Sequence, residues 1–442
     1  LRLPAASFIR NLGWKSLAEG LTRVLGLCFF ILLARVLGDA GYGAYTLPLA
    51  LAGLLSICLD WGTNSLLLRE VARHPDQSAS LLTTALYLKC LACLSFLAAL
   101  WLWPWLLPLE LSGSRLLAAG LMLVTQAWMD TLIAWLNAQQ HYRRELNLRL
   151  VNRLLVLLPQ LMVLAWWPEI DKLLWTGALA QGLALGLTYY AAGIRRSHWQ
   201  GLEWAALVRF LKQGWGFWLA NVSWLLYLKL DLVMLPALGR SAQELGWYQG
   251  AVRFYELLGL AAYLISIVSL PLLAAKAQQR EAFRRDILRA MRLLAPLATL
   301  LALLGLGLGP WLIPLLLGPD YQPAGQAFAV LCLGVPAVFL NLLWFSILAA
   351  VNQQKYTAWA ATACLGCNAL LNSLWIPQWG YLGAAWSTVL ADWLLWALLS
   401  LAGLRLGLAH RRELALLALG WSLWLALVYL AWTFWPEKLV SF

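Results

Sequence analysis

Residues 11–37 read NLGWKSLAEGLTRVLGLCFFILLARVL. The stretch is apolar and exceeds the roughly 20 residues a helix needs to cross a bilayer. Yet Asn11, Lys15, Glu19 and Arg23 recur every four residues, and on a helix that spacing draws one continuous polar stripe. Such a stripe cannot face lipid, because each charge at a helix centre costs about 2.5–3.5 kcal/mol to insert. The pattern predicts a membrane helix whose stripe faces other helices or a hydrated cavity. Its length, its charges and the lack of a small-residue cleavage site argue against a signal peptide.

Thirteen apolar stretches of this kind lie between residues 12 and 435 of the 442. Across the chain, 62% of residues are hydrophobic, 12% are charged and 28 are tryptophan. Soluble domains run nearer one quarter charged, so a soluble enzyme, a nucleic-acid binder and a disordered chain are excluded. Dividing the chain among its spans leaves only about ten residues per connection, too few for a soluble catalytic domain. The expectation is an all-α polytopic membrane protein.

The net charge of +12 follows from topology. With the N-terminus cytoplasmic, 20 Lys and Arg fall in inside segments and 5 in outside ones, as the positive-inside rule requires. Cys28, Cys58, Cys90, Cys93, Cys332, Cys364 and Cys367 all fall within spans, which argues against a disulfide framework. The two C-x-x-C pairs lack His or acidic companions and read as packing residues rather than metal ligands.

An internal repeat is visible. Gly13-Trp14 opens the first span and Gly214-Trp215 the seventh. An even number of intervening spans predicts two six-helix lobes in a parallel, pseudo-twofold repeat. The N-terminal lobe is expected over 1–199 and the C-terminal lobe over 200–405, with one additional transmembrane helix in 406–442. The linker 195–213 reads as an amphipathic helix on the inner leaflet, held by Trp199, Trp204 and Phe210.

Seven basic residues lie at membrane depth: Lys15, Arg23, Lys89, Arg149, Arg153, Lys229 and Arg253. Six acidic ones accompany them: Glu19, Asp60, Asp130, Asp231, Glu256 and Asp392. Span 2 (42–68) is expected to set Ser56, Asp60 and Asn64 on one face, and span 4 Gln126, Asp130 and Asn137. The plain reading makes these charges neutral pairs: Lys15 or Arg23 with Glu19, Lys229 with Asp231, Arg253 with Glu256. Arg149 and Arg153 look unpaired within their own helix. A mildly cationic, hydrated cavity suits a phosphate or diphosphate. No P-loop, no H-E-x-x-H and no histidine at depth occurs, so ATP hydrolysis is not expected.

Several motifs together resemble a known family. They are Asn11-Leu12-Gly13-Trp14 with Arg23, Leu33-Ala34-Arg35-Val36-Leu37-Gly38 and Gly41-Tyr42-Gly43-Ala44-Tyr45; Leu68-Arg69-Glu70-Val71-Ala72-Arg73; and Lys229-Leu230-Asp231. Further along come Gly246-Trp247-Tyr248 through Arg253-Phe254-Tyr255-Glu256, Leu317-Gly318-Pro319-Asp320-Tyr321, and Gly380-Tyr381 through Ser387-Thr388. In order and spacing these resemble bacterial polysaccharide (O-antigen or exopolysaccharide) flippases of the multidrug/oligosaccharidyl-lipid/polysaccharide exporter superfamily.

The resemblance implies a transporter of the bacterial inner membrane, not an enzyme. It would carry a polyprenyl-diphosphate-linked oligosaccharide to the outer leaflet by alternating access. Partners implied are the lipid-linked glycan, the bilayer and the polymerase and glycosyltransferases of the same pathway, with no nucleic acid. Family basic positions on the first and eighth helices match Arg23 and Arg253, with Lys15 beside them. The full set expected to hold the diphosphate is Lys15, Arg23, Arg149, Arg153, Lys229 and Arg253. Asp60, Asp130, Asp231 and Glu256 are candidates for coupling to H+ or Na+; no cofactor or metal is expected. Thirteen spans depart from the family's 12 or 14. The alternatives are a cation-coupled multidrug antiporter, whose cavity should be acidic, a peptidoglycan-precursor flippase with 14 spans, and a membrane-embedded glycan polymerase or ligase.

Overall fold

A computed structural model describes residues 5–106, 111–194, 204–276 and 279–409. The expected thirteenth span (414–435), residues 195–203 of the linker, and the side chains of Lys15 and Glu19 lie outside the described residues. What is described is helical throughout, apart from short turns.

The first helix, α1, runs Ala5–Leu55 but is interrupted at Gly38, whose φ of 70° and ψ of 178° no helix contains. Only glycine takes that conformation without a steric cost. The two arms fold back on one another: the rings of Phe30 and Tyr42 stand 5.1 Å apart. Helix α5, Tyr142–Trp166, confirms the hairpin. Its Arg153 lies against Gly26 and its Gln160 hydrogen-bonds Tyr45. A straight α1 would hold Gly26 and Tyr45 about 28 Å apart, whereas seven residues of α5 span only about 10 Å. Spans 1 and 2 are therefore the two arms of α1. We call the end at Gly38 the far end and the opposite one the near end.

Span 2 does not continue as expected. After Leu55 come a 3-10 turn at Ser56–Cys58, a break through Gly62 and a separate helix α2, Thr63–Arg73. Gly62 takes φ 73° at the start of α2. Ser56, Asp60 and Asn64 consequently do not share one helix face, because no single helix contains all three.

The order continues with α3 Ser78–Leu106, α4 Gly113–Ala138, α5, α6 Ile170–Ala191, α7 Trp204–Ala237 and α8 Ala242–Lys276. Then follow α9 Arg280–Leu317, α10 Gln322–Cys332, α11 Val335–Ala350, α12 Gln354–Trp379 and α13 Tyr381–Arg405. Helices α10 and α11 are together long and apolar enough for one span, with a bend of 50° between them. Twelve of the expected spans coincide with these elements. By length and apolarity alone, six of the described helices qualify to cross a membrane, or seven with the bent pair. Helices α6, α7, α8 and α12 are 22 to 35 residues long. That suffices for a hydrocarbon layer of about 30 Å.

Contacts divide the chain into compact units, Leu1–Gly246 and Trp247–Phe442. In the first unit, α1 packs on α5, and α6 on α4 and α5, while α7 joins them through α1, α2 and α3. That packing places α7 in the first unit, although the repeat begins its second copy there. A core of Leu66, Leu67, Val71, Leu86, Leu132 and Trp135 forms near the α2–α3 connection. Leu207 and Phe210 of α7 complete it. Phe210 is thus buried in protein, not laid on a leaflet, because α7 continues as one helix from Trp204 into span 7. In the second unit α13 packs on α12, α10 and α11. Trp344 is wholly buried with its ring over Gly403, and its indole N–H donates to Ser400 Oγ at 3.2 Å.

Candidate functional site

Backbone that leaves a helix at membrane depth must have its polar groups satisfied by protein, because hydrocarbon supplies no hydrogen bonds. The break in span 2 meets that demand with side chains from two helices. Ile57 O accepts from Trp218 Nε1 of α7 at 3.1 Å. Cys58 O accepts from Ser95 Oγ of α3 at 3.2 Å, and Leu59 O from Lys89 Nζ of α3 at 2.9 Å. The restart of the helix is served by Asp60. Its Oδ1 accepts from Thr63 N at 3.1 Å and Thr63 Oγ1 at 2.9 Å, capping the first turn of α2. The second oxygen accepts from Asn221 Nδ2 of α7 at 3.4 Å. Lys89 Nζ stands 3.6 Å from Asp60 Oδ1, and the Lys89 side chain is fully buried.

A second layer lies behind the first. Asp130 of α4 accepts from Gln126 Nε2 at 3.0 Å, and Gln126 Oε1 in turn accepts from Gln181 Nε2 of α6 at 2.7 Å. Thr131 Oγ1 donates to Asn64 Oδ1 at 2.7 Å, tying α4 to α2. Asp130 lies within electrostatic reach of Lys89, Arg149 and Asp60. Asp60, Lys89, Asp130 and Arg149 therefore belong to one charged network inside the first unit.

Arg149 is not unpaired: its Nε donates to Glu145 Oε1 at 2.7 Å, one helical turn away. The i, i+4 spacing is present in the sequence, with Glu145 at the edge of the span. Arg153, one turn beyond Arg149, presses its guanidinium on α1, where a Cβ at Gly26 would come 2.6 Å from Nη2. Arg23 is exposed on α1 one turn before Gly26, so Arg23 and Arg153 serve the same stretch of that helix. Lys229 is half-buried and Asp231 buried, two to three turns along α7 from Asn221. Asp231 Oδ1 accepts from Leu232 N at 2.9 Å.

Arg253 and Glu256 belong to the second unit, where Arg253 Nη1 donates to Glu256 Oε2 at 3.2 Å. That unit has a buried acid of its own. Asp392 Oδ2 accepts from Tyr255 OH at 2.7 Å, and its backbone carbonyl accepts from Asn341 Nδ2 at 3.0 Å. At the bend between α10 and α11, Leu333 O accepts from Trp393 Nε1 at 3.1 Å. An indole N–H thus satisfies a freed carbonyl at this bend as at the break in span 2.

Lys89 is the residue that sequence reading passed over. It is the base at membrane depth that lies outside the expected anion-binding set. A single Lys in an otherwise apolar span was the available signal. Among the described residues no group of three His, Cys, Asp or Glu side chains converges as a metal site.

Residues 8–277 match the family described as polysaccharide biosynthesis protein, and residues 173–441 match the family of the lipid II flippase MurJ. No curated protein matches in sequence. Among solved structures, lipid II flippase MurJ in an inward closed conformation aligns with a TM-score of 0.75 at 15% identity, over 94% of this chain and 92% of that one. An inward-facing multidrug resistance MATE family transporter of the MOP superfamily aligns at 0.70 and 11%, over 88% and 94%. A MOP superfamily transporter from Pyrococcus furiosus, reported with a binding pocket of reversed polarity, aligns at 0.63 and 12%, over 91% and 95%. At these identities the structures establish the fold.

Proposed function

Because the chain belongs to the polysaccharide biosynthesis protein family and, through its later part, to the lipid II flippase MurJ family, we propose that it flips a polyprenyl-diphosphate-linked oligosaccharide. Transfer runs from the inner to the outer leaflet of a bacterial plasma membrane by alternating access between lobes 1–199 and 200–405. The N-terminus, and with it the near end, is cytoplasmic. The protein is a multi-pass membrane transporter, and its product passes to the polymerase and glycosyltransferases of surface polysaccharide synthesis.

The observation that carries this reading is the cationic side chains that meet α1. Arg153 lies against Gly26, with Arg23 one turn away. A guanidinium presents paired N–H donors to phosphate oxygens, and a diphosphate headgroup offers several. Lys15, Arg23, Arg149, Arg153, Lys229 and Arg253 form the anion-binding set. Asp130, Asp231 and Glu256 are the acids for coupling to H+ or Na+ or for neutralising the empty carrier; Asp60 shares that role with capping α2.

The test is translocation in proteoliposomes of a labelled polyprenyl-diphosphate oligosaccharide, with a cationic dye in parallel. Lipid-linked sugar should reach the opposite leaflet while the dye stays. Arg23→Ala and Arg253→Ala should each lower the rate about tenfold or more, since a charged hydrogen bond is worth about 1.5–3 kcal/mol. Normal transport by both variants at equal protein would sink the anion-binding assignment. Gradient-driven dye export with the lipid unmoved would favour the multidrug antiporter, whose fold this chain shares. Transport of a peptidoglycan precursor in preference to longer glycans would favour the second family.

A further inference from the structure

Span 2 is held at its far end, and again at the break toward its near end, by a contact between glycine and backbone. At the far end Gly43 and Gly246 interlock: a Cβ on Gly43 would overlap Ala242 O, and one on Gly246 would overlap Asp39 O. Buried Asp39 accepts at Oδ2 from Gln243 Nε2 at 2.7 Å. At the near end Gly62 and Gly214 interlock: a Cβ on Gly62 would overlap Gly214 O, and one on Gly214 would stand 2.7 Å from Trp61 O. Here too side chains flank the glycines, with Trp218 on Ile57 O and Asn221 on Asp60. In both places one chain segment precedes residue 199 and the other follows residue 203. Backbones this close gain packing and Cα–H···O contacts that any side chain would abolish.

We infer that these are two gates of the carrier, Gly43/Gly246 with Asp39–Gln243 at the far end and Gly62/Gly214 with Asp60–Asn221 at the near end. Gly43 and Gly62 are 19 residues apart in the chain. Through helix and 3-10 turn that is on the order of 25 Å, close to the thickness of the hydrocarbon layer. Span 2 is the strut between the gates. Its far part is continuous α-helix, and its near part, residues 56–62, is the unwound segment whose carbonyls Ser95 and Lys89 hold from α3. Opening toward one side breaks one glycine contact while the other persists as the pivot. This deepens the alternating-access reading and rests on it.

The test needs no substrate. In a protein with the other cysteines replaced, Cys58 reports on the near gate and Thr46→Cys, one turn inside Gly43, on the far gate. Each is labelled with an impermeant maleimide from its own side of proteoliposomes. Two variants add volume, Gly214→Ala and Gly246→Ala; two only delete a hydrogen bond, Asn221→Ala and Gln243→Ala. Gly214→Ala and Asn221→Ala should raise Cys58 labelling roughly two- to tenfold, the population shift a lost hydrogen bond produces, and lower labelling at position 46. Gly246→Ala and Gln243→Ala should do the reverse. Labels that rise together, or do not move, overturn the gates; if the glycine variants fail to insert, the deletion pair decides. Reciprocal shifts without movement of lipid-linked sugar would leave the gates standing and remove the flippase reading.

Discussion

Lys89 has no exposed surface, and its amino group meets a backbone carbonyl at 2.9 Å and a carboxylate at 3.6 Å. Replacing it by Met keeps the stem but leaves Leu59 O without its donor and Asp60 without its cation. Removing one partner of a buried pair is costlier than removing both. Lys89→Met should therefore destabilise the protein by about 2–3 kcal/mol, read as a lowered melting midpoint in detergent. Adding Asp60→Asn, which keeps an oxygen to cap α2, should recover part of that loss. A double-mutant cycle measures the coupling, and strict additivity would show that the two side chains do not act as a pair. The Arg149 pair is local by contrast, with Glu145 at i−4 on the same helix. The Lys89 contacts were not visible, since residues 59 and 89 meet only through the packing of α3 on the break.

At the scale of the element, both interruptions use an indole N–H as the donor for a freed carbonyl: Trp218 for Ile57 and Trp393 for Leu333. Trp218→Phe and Trp393→Phe keep most of the aromatic volume and delete that donor. Each should cost about 1–3 kcal/mol, the penalty of an unsatisfied buried acceptor, seen as loss of the folded, monodisperse species on heating. Wild-type behaviour from both would mean that the carbonyls find other partners. The half-exposed pair Arg115–Asp171, bidentate between α4 and α6 at 2.9–3.2 Å, should matter less. Asp171→Asn is expected to change stability by under about 1 kcal/mol, because exposed ion pairs are screened by water. The expected unbroken span 2 was an error of this scale. Hydropathy averages composition over a window, and the apolar residues around Ser56–Gly62 satisfy it whether or not the backbone is helical.

For the whole molecule, the charge asymmetry predicts orientation. Ser112 and Gln140 flank α4 at opposite ends and both are exposed. A cysteine at Gln140 should label only from the cytoplasmic side and one at Ser112 only from the other; the converse pattern would invert the topology. The grouping of residues 1–246 as one compact unit has a local cause. Helix α7 packs on α1, α2 and α3, and the first turn of α8 packs on the far end of span 2, so contacts outweigh the repeat in assigning them. The membrane-embedded helical class, the position of twelve helical spans and the charges at membrane depth are legible in the residues alone. Those properties are local, set by hydrophobicity and by the helical period. Where span 2 unwinds, which side chains replace its lost hydrogen bonds, and that four glycines meet in two pairs come from the packing of distant segments. A carbonyl freed from its helix can be satisfied by a donor anywhere in the chain. A close approach of two backbones depends on the absence of side chains from both, and neither leaves a periodic mark in the residues around it.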